Sequence, residues 1–152
     1  MNPEWVSIAI KELGIKELKD GDNSRIVEYA DTTSLHAKQD EVPWCSSFVN
    51  WCLKQAGIKG TNSAAAISWL DWGVSIDEPI DGCICVIKRK EGGKDKATGS
   101  SSGYHVAFWI SQDKESVHLL GGNQSDQVKI SSFMLRSYEI AGYRMPTKED
   151  YI

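Results

Sequence analysis

Apolar residues recur at helical spacing in the first half of the chain and in short β-rich runs in the second. Trp5, Ile8, Ala9 and Leu13 predict a helix capped by Asn2, opened by Pro3 and stopped at Gly14. A second short helix is expected from Asn23 through Tyr29, after a polar turn at Asp20-Gly21-Asp22-Asn23. That turn has two acidic residues but lacks the remaining ligand positions and closing Glu of an EF-hand, so it reads as a helix cap. The best-defined helix follows Pro43: Cys45, Phe48, Val49, Cys52, Leu53 and Ala56 line one face before Gly57 ends it. Ser63 to Leu70 reads as a further short helix, capped by Asn62 or Ser63, with Trp69 and Trp72 near its end.

Past Pro79 and Gly82 the period changes. Cys83 to Ile87 is an apolar, β-rich run, and Gly92 to Gly103 is a Gly, Ser and Lys-rich loop expected to be mobile. Strands are expected at His105 to Ile110, Val117 to Leu120, Val128 to Ile130 and Ile140 to Arg144, with a polar turn from Ser111 to Ser116. Helices first and an antiparallel sheet after them make an α+β layout.

Composition narrows the function classes. A chain of 152 residues, 41% hydrophobic and 25% charged, predicts one domain over residues 1–152 and therefore one site. Its net charge of -4 argues against nucleic-acid or anionic-membrane partners, and Lys88-Arg89-Lys90 is too short a basic run to reverse that. The start, Met1-Asn2-Pro3-Glu4-Trp5, has neither the basic head nor the apolar stretch of a secretory signal, and no segment is long and apolar enough to span a bilayer. Synthesis in the cytoplasm is expected. The four Cys form no disulfide-rich pattern. Cys83 and Cys85 alternate on a strand and read as core, without the second chelating pair of a zinc site.

Candidate chemistry begins at Cys45, in the first turn of its helix, where backbone N–H groups and the helix dipole favour a thiolate. Taken alone it stays open between nucleophile and small core residue; Cys52, two turns on along the apolar face, reads as core. A thiol nucleophile needs a base, and the His residues are 36, 105 and 118. If Ser111 to Ser116 turns a hairpin, partner numbers sum to about 228, and His105 faces Gly122-Asn123. Asn123 is then placed to accept the ring N–H and set the tautomer. His118 lies about 16 Å along the ladder from that site and reads as packing or surface. His36 sits in a polar stretch with nothing to orient it.

Taken together, Pro43-Trp44-Cys45-Ser46-Ser47-Phe48-Val49 with Trp51, Tyr104-His105-Val106, Gly121-Gly122-Asn123-Gln124 and Gly142-Tyr143-Arg144-Met145-Pro146 resemble small phage and bacterial proteins of the CHAP and NlpC type. Ser68-Trp69-Leu70-Asp71-Trp72-Gly73 adds to the likeness, which spans nearly the whole chain. The resemblance implies a papain-like α+β fold with the nucleophile-bearing helix packed on the sheet, and hydrolysis of peptidoglycan amides, by an endopeptidase or N-acetylmuramoyl-L-alanine amidase. It carries the nucleophile to Cys45, the base to His105 and the orienting role to Asn123. Trp44, Trp72, Tyr104 and Gln124 are the candidate substrate-binding residues.

Relatives often have Gly-Asp where this chain has Gly82-Cys83, and a small residue where it has Tyr104, whose aromatic ring is expected either to narrow the cleft or to stack on substrate. Calcium-dependent relatives carry a repeated acidic spacing that Asp40-Glu41 lacks, so neither metal nor cofactor is expected. The expected partner is peptidoglycan, met by a monomer after release or delivery to the cell wall, either as a phage endolysin or as an effector with an immunity protein. Competing readings keep the fold but make it a non-catalytic cell-wall-peptide binder, or an acyltransferase using the same Cys and His.

Overall fold

The computed structural model describes residues 2–18, 23–33 and 44–152. The expected turn at Asp20 to Asp22, together with His36, Asp40, Glu41 and Pro43, lies outside the described residues. Three α-helices precede a sheet: α1 (Glu4–Lys11), α2 (Ser24–Ala30) and α3 (Cys45–Gln55), followed by a 3-10 helix (Ala66–Asp71). The strands are β1 (Val74–Ile76), β2 (Ile84–Arg89), β3 (Tyr104–Gln112), β4 (Ser116–Gln124), β5 (Gln127–Met134) and β6 (Tyr138–Met145). A short 3-10 turn, Lys148–Asp150, ends the order. The α+β class is as expected.

Local chemistry explains the helix starts. The Asn23 side chain caps α2 by accepting the Arg25 N–H at 2.9 Å. Pro3, not Asn2, occupies the cap position of α1, without a side-chain bond. The helix expected from Ser63 is shorter and tighter, because Asn62 sits at φ 57 and Ser63 Oγ accepts the Ala65 N–H at 3.1 Å, spending the segment on turns before Ala66.

The six strands form one antiparallel sheet in the order β1-β6-β2-β3-β4-β5. Register and apolar alternation divide its faces. Ile84, Val86, Val106, Phe108 and Leu120 lie in the core shared with α1, α2 and α3, while Cys85, Ile87, Ala107, Val117, Leu119 and Phe133 form a second core on the other face. The sheet curls enough for Phe133 of β5 to meet Tyr138 of β6, ring centroids 5.1 Å apart, although three strands separate them in the order.

The polar loop before β3, expected from its composition to be mobile, carries a set of hydrogen bonds of its own. Asp95 N–H donates to Ser100 O at 2.8 Å, Gly99 N–H to Asp95 O at 2.9 Å and Ser125 N–H to Ala97 O at 2.9 Å. Tyr138 Oη donates to Asp95 Oδ2 at 2.8 Å.

Candidate functional site

Cys45 is the first residue of α3, with Trp44 at the cap. The helix start is seated closely on the sheet: a Cβ at Gly122 would lie 2.6 Å from the Trp44 ring and 2.8 Å from Phe48 Cβ. Cys45 is 5% exposed. Burial pushes its thiol up from the ordinary range, and the backbone N–H groups of Val106, Ser46 and Cys45 itself oppose that. The sulfur thus sits among three amide donors, one belonging to the residue that follows His105.

His105 is fully buried and pairs with Ile87 of β2. Its Nε2 lies 2.9 Å from Gln124 Oε1. The Gln124 amide is itself oriented, because its Nε2 donates to Leu119 O at 3.1 Å and Lys129 O at 2.8 Å. Its oxygen must therefore face the imidazole as acceptor, which places the ring proton on Nε2 and leaves Nδ1 as a bare lone pair. Nδ1 is buried and has no hydrogen-bond partner. Burial lowers the imidazole to about 4, against the upward pull of the Gln124 bond and of the Asp95 charge. At rest the thiol and the imidazole are both neutral, not an ion pair.

The two groups meet β3 at successive residues but from different sides. The imidazole packs on Phe133, centroids 5.6 Å apart, on the face with Ile87 and Ala107, whereas α3 covers the face with Val86, Val106 and Phe108. No hydrogen bond joins Cys45 Sγ to His105 Nδ1.

Asn123 does not hold the imidazole. The hairpin register runs as expected at Phe108↔Leu120 and Trp109↔Leu119. Beyond it, however, the β4–β5 ladder shifts between Gly121 and Gln124, where β4 carries an extra residue. Asn123 takes up this bulge at φ 61, and its amide turns under the loop, against Gly99. Gln124, one residue on, returns to the ladder and reaches His105. Asn123 Oδ1 is buried without a partner.

The expected groove residues are mostly interior. Trp44 is 2% exposed and its indole N–H donates to Glu17 Oε1 at 2.8 Å; Trp72 is 7% exposed and donates to Lys59 O at 3.0 Å. Gln124 is fully buried by its bonds to His105 and two carbonyls. These contacts remove all three from a solvent-facing groove. Tyr104 is half-buried, with the Lys88 ammonium 5.4 Å from its ring centroid. Cys52, Cys83 and Cys85 are free, buried thiols raised mainly by desolvation. His118 is a partly exposed side chain bonded to Ser132 Oγ at 2.7 Å and Asp113 Oδ2 at 3.3 Å.

Two contributors were not assigned their observed roles by sequence. Gln124, expected against substrate, bonds the His105 imidazole, and Asp95 fastens the loop that composition alone leaves undifferentiated. Asp95 had a local signal: Asp followed by Thr98 and Gly99 is a turn pattern, realised here as Asp95 Oδ1 accepting the Ala97 N–H at 3.0 Å. No family model matches the chain, and no curated protein matches it.

Proposed function

We propose that this protein is a cysteine amidohydrolase of the CHAP and NlpC type, papain-like in arrangement, acting on amide bonds of cell-wall peptide. The observation that carries the reading is the placement of Cys45 Sγ at the start of α3, near the N–H groups of Val106, Ser46 and Cys45, with Val106 following in β3 directly after His105, whose tautomer Gln124 sets. The sequence resemblance supplies the substrate class.

In this mechanism His105 Nδ1 takes the thiol proton as sulfur attacks the amide carbonyl, which requires Cys45 and Nδ1 to close on one another at the start of β3. The carbonyl carbon forms a bond to sulfur and the oxyanion is held by backbone N–H groups at the helix start. Nδ1 then returns its proton to the leaving amine as the C–N bond breaks, and water hydrolyses the thioester. Gln124 stays hydrogen-bonded to Nε2 throughout and stabilises the transient imidazolium.

Isolated sacculi treated with purified protein test the reading, with turbidity and mass spectrometry of released fragments as readouts. The wild type should release peptide fragments, insensitive to chelator and lost on alkylation with iodoacetamide. Cys45→Ala should lower the rate by at least about 1,000-fold. Lysis that persists undiminished in Cys45→Ala ends the proposal. The burial of both Cys45 and His105 favours, as second reading, a cell-wall-peptide binder that keeps the fold without catalysis. That reading is met by wild-type binding to sacculi with no fragment released.

A further inference from the structure

The outer edge of β5 is only half used. Pairing of Leu119 with Ser131 and Val117 with Phe133, continued by Leu135 N–H to Glu115 O at 2.8 Å, turns the odd-numbered backbone groups of β5 toward β4. The even-numbered ones face away. Val128 shows what that edge does: its N–H donates to Ile15 O at 2.7 Å and its carbonyl accepts the Gly14 N–H at 3.0 Å. Two and four residues further, Ile130 and Ser132 direct the same pair of backbone groups outward, and no strand lies beside them among the described residues.

A groove of about 400 Å³ runs along that stretch, and Ala97, Ser137 and Tyr138 also line it. It shares Ser137 and Tyr138 with a second hollow of about 260 Å³ that adds Arg89, Lys90 and Arg136. The charge in this channel is positive where it is uncommitted. Lys90, Lys129 and Arg136 form no ion pair among the described residues, although the whole chain is at -4. Of the acids, Glu91 lies 3.4 Å from Arg89, and Asp95 accepts the Tyr138 hydroxyl at 2.8 Å and the Ala97 N–H at 3.0 Å.

We propose that this channel binds an acidic peptide segment as an added strand on β5, its main chain bonded to Ile130 and Ser132 and its carboxylates held by Lys129, Arg136 and Lys90. Alternate residues of an extended chain are about 6.6 Å apart, the repeat that Ile130 and Ser132 present. Main-chain bonds supply the affinity, and the basic side chains select against cationic segments. The proposal does not rest on the chemistry of Cys45, and Cys45→Ala should bind the peptide as the wild type does.

The probe is a fluorescein-labelled octapeptide alternating Val and Glu, compared by anisotropy with its Val and Lys counterpart. The acidic peptide should bind at least about tenfold more tightly at low salt, an advantage that shrinks at high salt. The doubly reversed Lys129→Glu, Arg136→Glu protein should weaken it by a similar factor. Methylating the peptide amides that face β5 should abolish binding, while methylating the alternate set leaves it intact; this arm does not depend on any variant folding. Ile130→Pro, tolerable because its N–H faces outward, should also lose binding with unchanged circular dichroism. Equal binding of the two peptides, equal tolerance of both methylation sets, or no binding at about 1 mM peptide overturns the proposal. So does concentration-dependent dimerisation that perturbs the Ile130 and Ser132 amides, which would make the occupant a second copy.

Discussion

His105 combines a held nitrogen with a bare one in a buried setting, and this has a thermodynamic consequence. Its folded-state pKa is lowered to about 4 from an ordinary 6.5, so the unfolded chain binds the extra proton first. Stability from this residue is full above pH 6.5 and is lost as pH falls from there to about 4. The shift corresponds to on the order of 3 kcal/mol. Urea unfolding of the wild type should therefore lose about that much more stability between pH 7 and pH 4 than His105→Gln does. Identical pH dependence of the two proteins would show that the imidazole is not buried neutral. The same depressed value predicts that hydrolysis, if His105 is the base, keeps its rate down to about pH 4 rather than failing near pH 6.5.

At the scale of elements, what positions Cys45 is the seating of α3 on β3 and β4. Two contacts set it. Trp44 is anchored to Glu17, and Gly122 lets the Trp44 ring and Phe48 approach the β4 backbone. Further along the helix, Asn50 accepts the Asn62 N–H at 3.0 Å and Trp69 donates to Ser46 Oγ at 2.8 Å, tying α3 to the segment before β1. Gly122→Ala adds one methyl group where nothing can yield without moving the helix start. It should cost about 1–3 kcal/mol by overpacking and lower sacculus lysis by more than the folded fraction explains. Wild-type activity in a variant that unfolds at lower urea would separate the seating of α3 from catalysis.

At the scale of the molecule, all four thiols are interior: Cys45 is 5% exposed and the other three are fully buried. Ellman's reagent should therefore label none within the mixing time in native buffer and four in concentrated guanidinium. Cys45, at the helix start and the least enclosed, should be the first to react, at a rate that reports opening of the site. A thiol labelled at once in native buffer contradicts the packing. Among the described residues no helix is long and apolar enough to cross a membrane.

Amphipathic spacing after Pro43 was enough to start α3 at Cys45, because a helix face is written locally in residues three and four apart. The hairpin register at Phe108 and Leu120 was legible for the same reason: a short polar turn between two apolar runs leaves few alignments. The α+β class follows from that ordering of periods. Tertiary structure decided the rest. β1 is three residues long and exists by pairing with β6 across Val74↔Met145, which no local pattern announces. The bulge in β4 exchanged Asn123 for Gln124 behind His105, since a one-residue insertion in a ladder is set by packing on both faces. Burial of Trp44 and Trp72, and the fastening of the loop through Asp95, likewise depend on residues distant in the chain. Sequence alone could name Cys45 and His105 as the residues to watch. Which face of β3 each occupies, and which amide sets the imidazole tautomer, were decided by how the sheet curls.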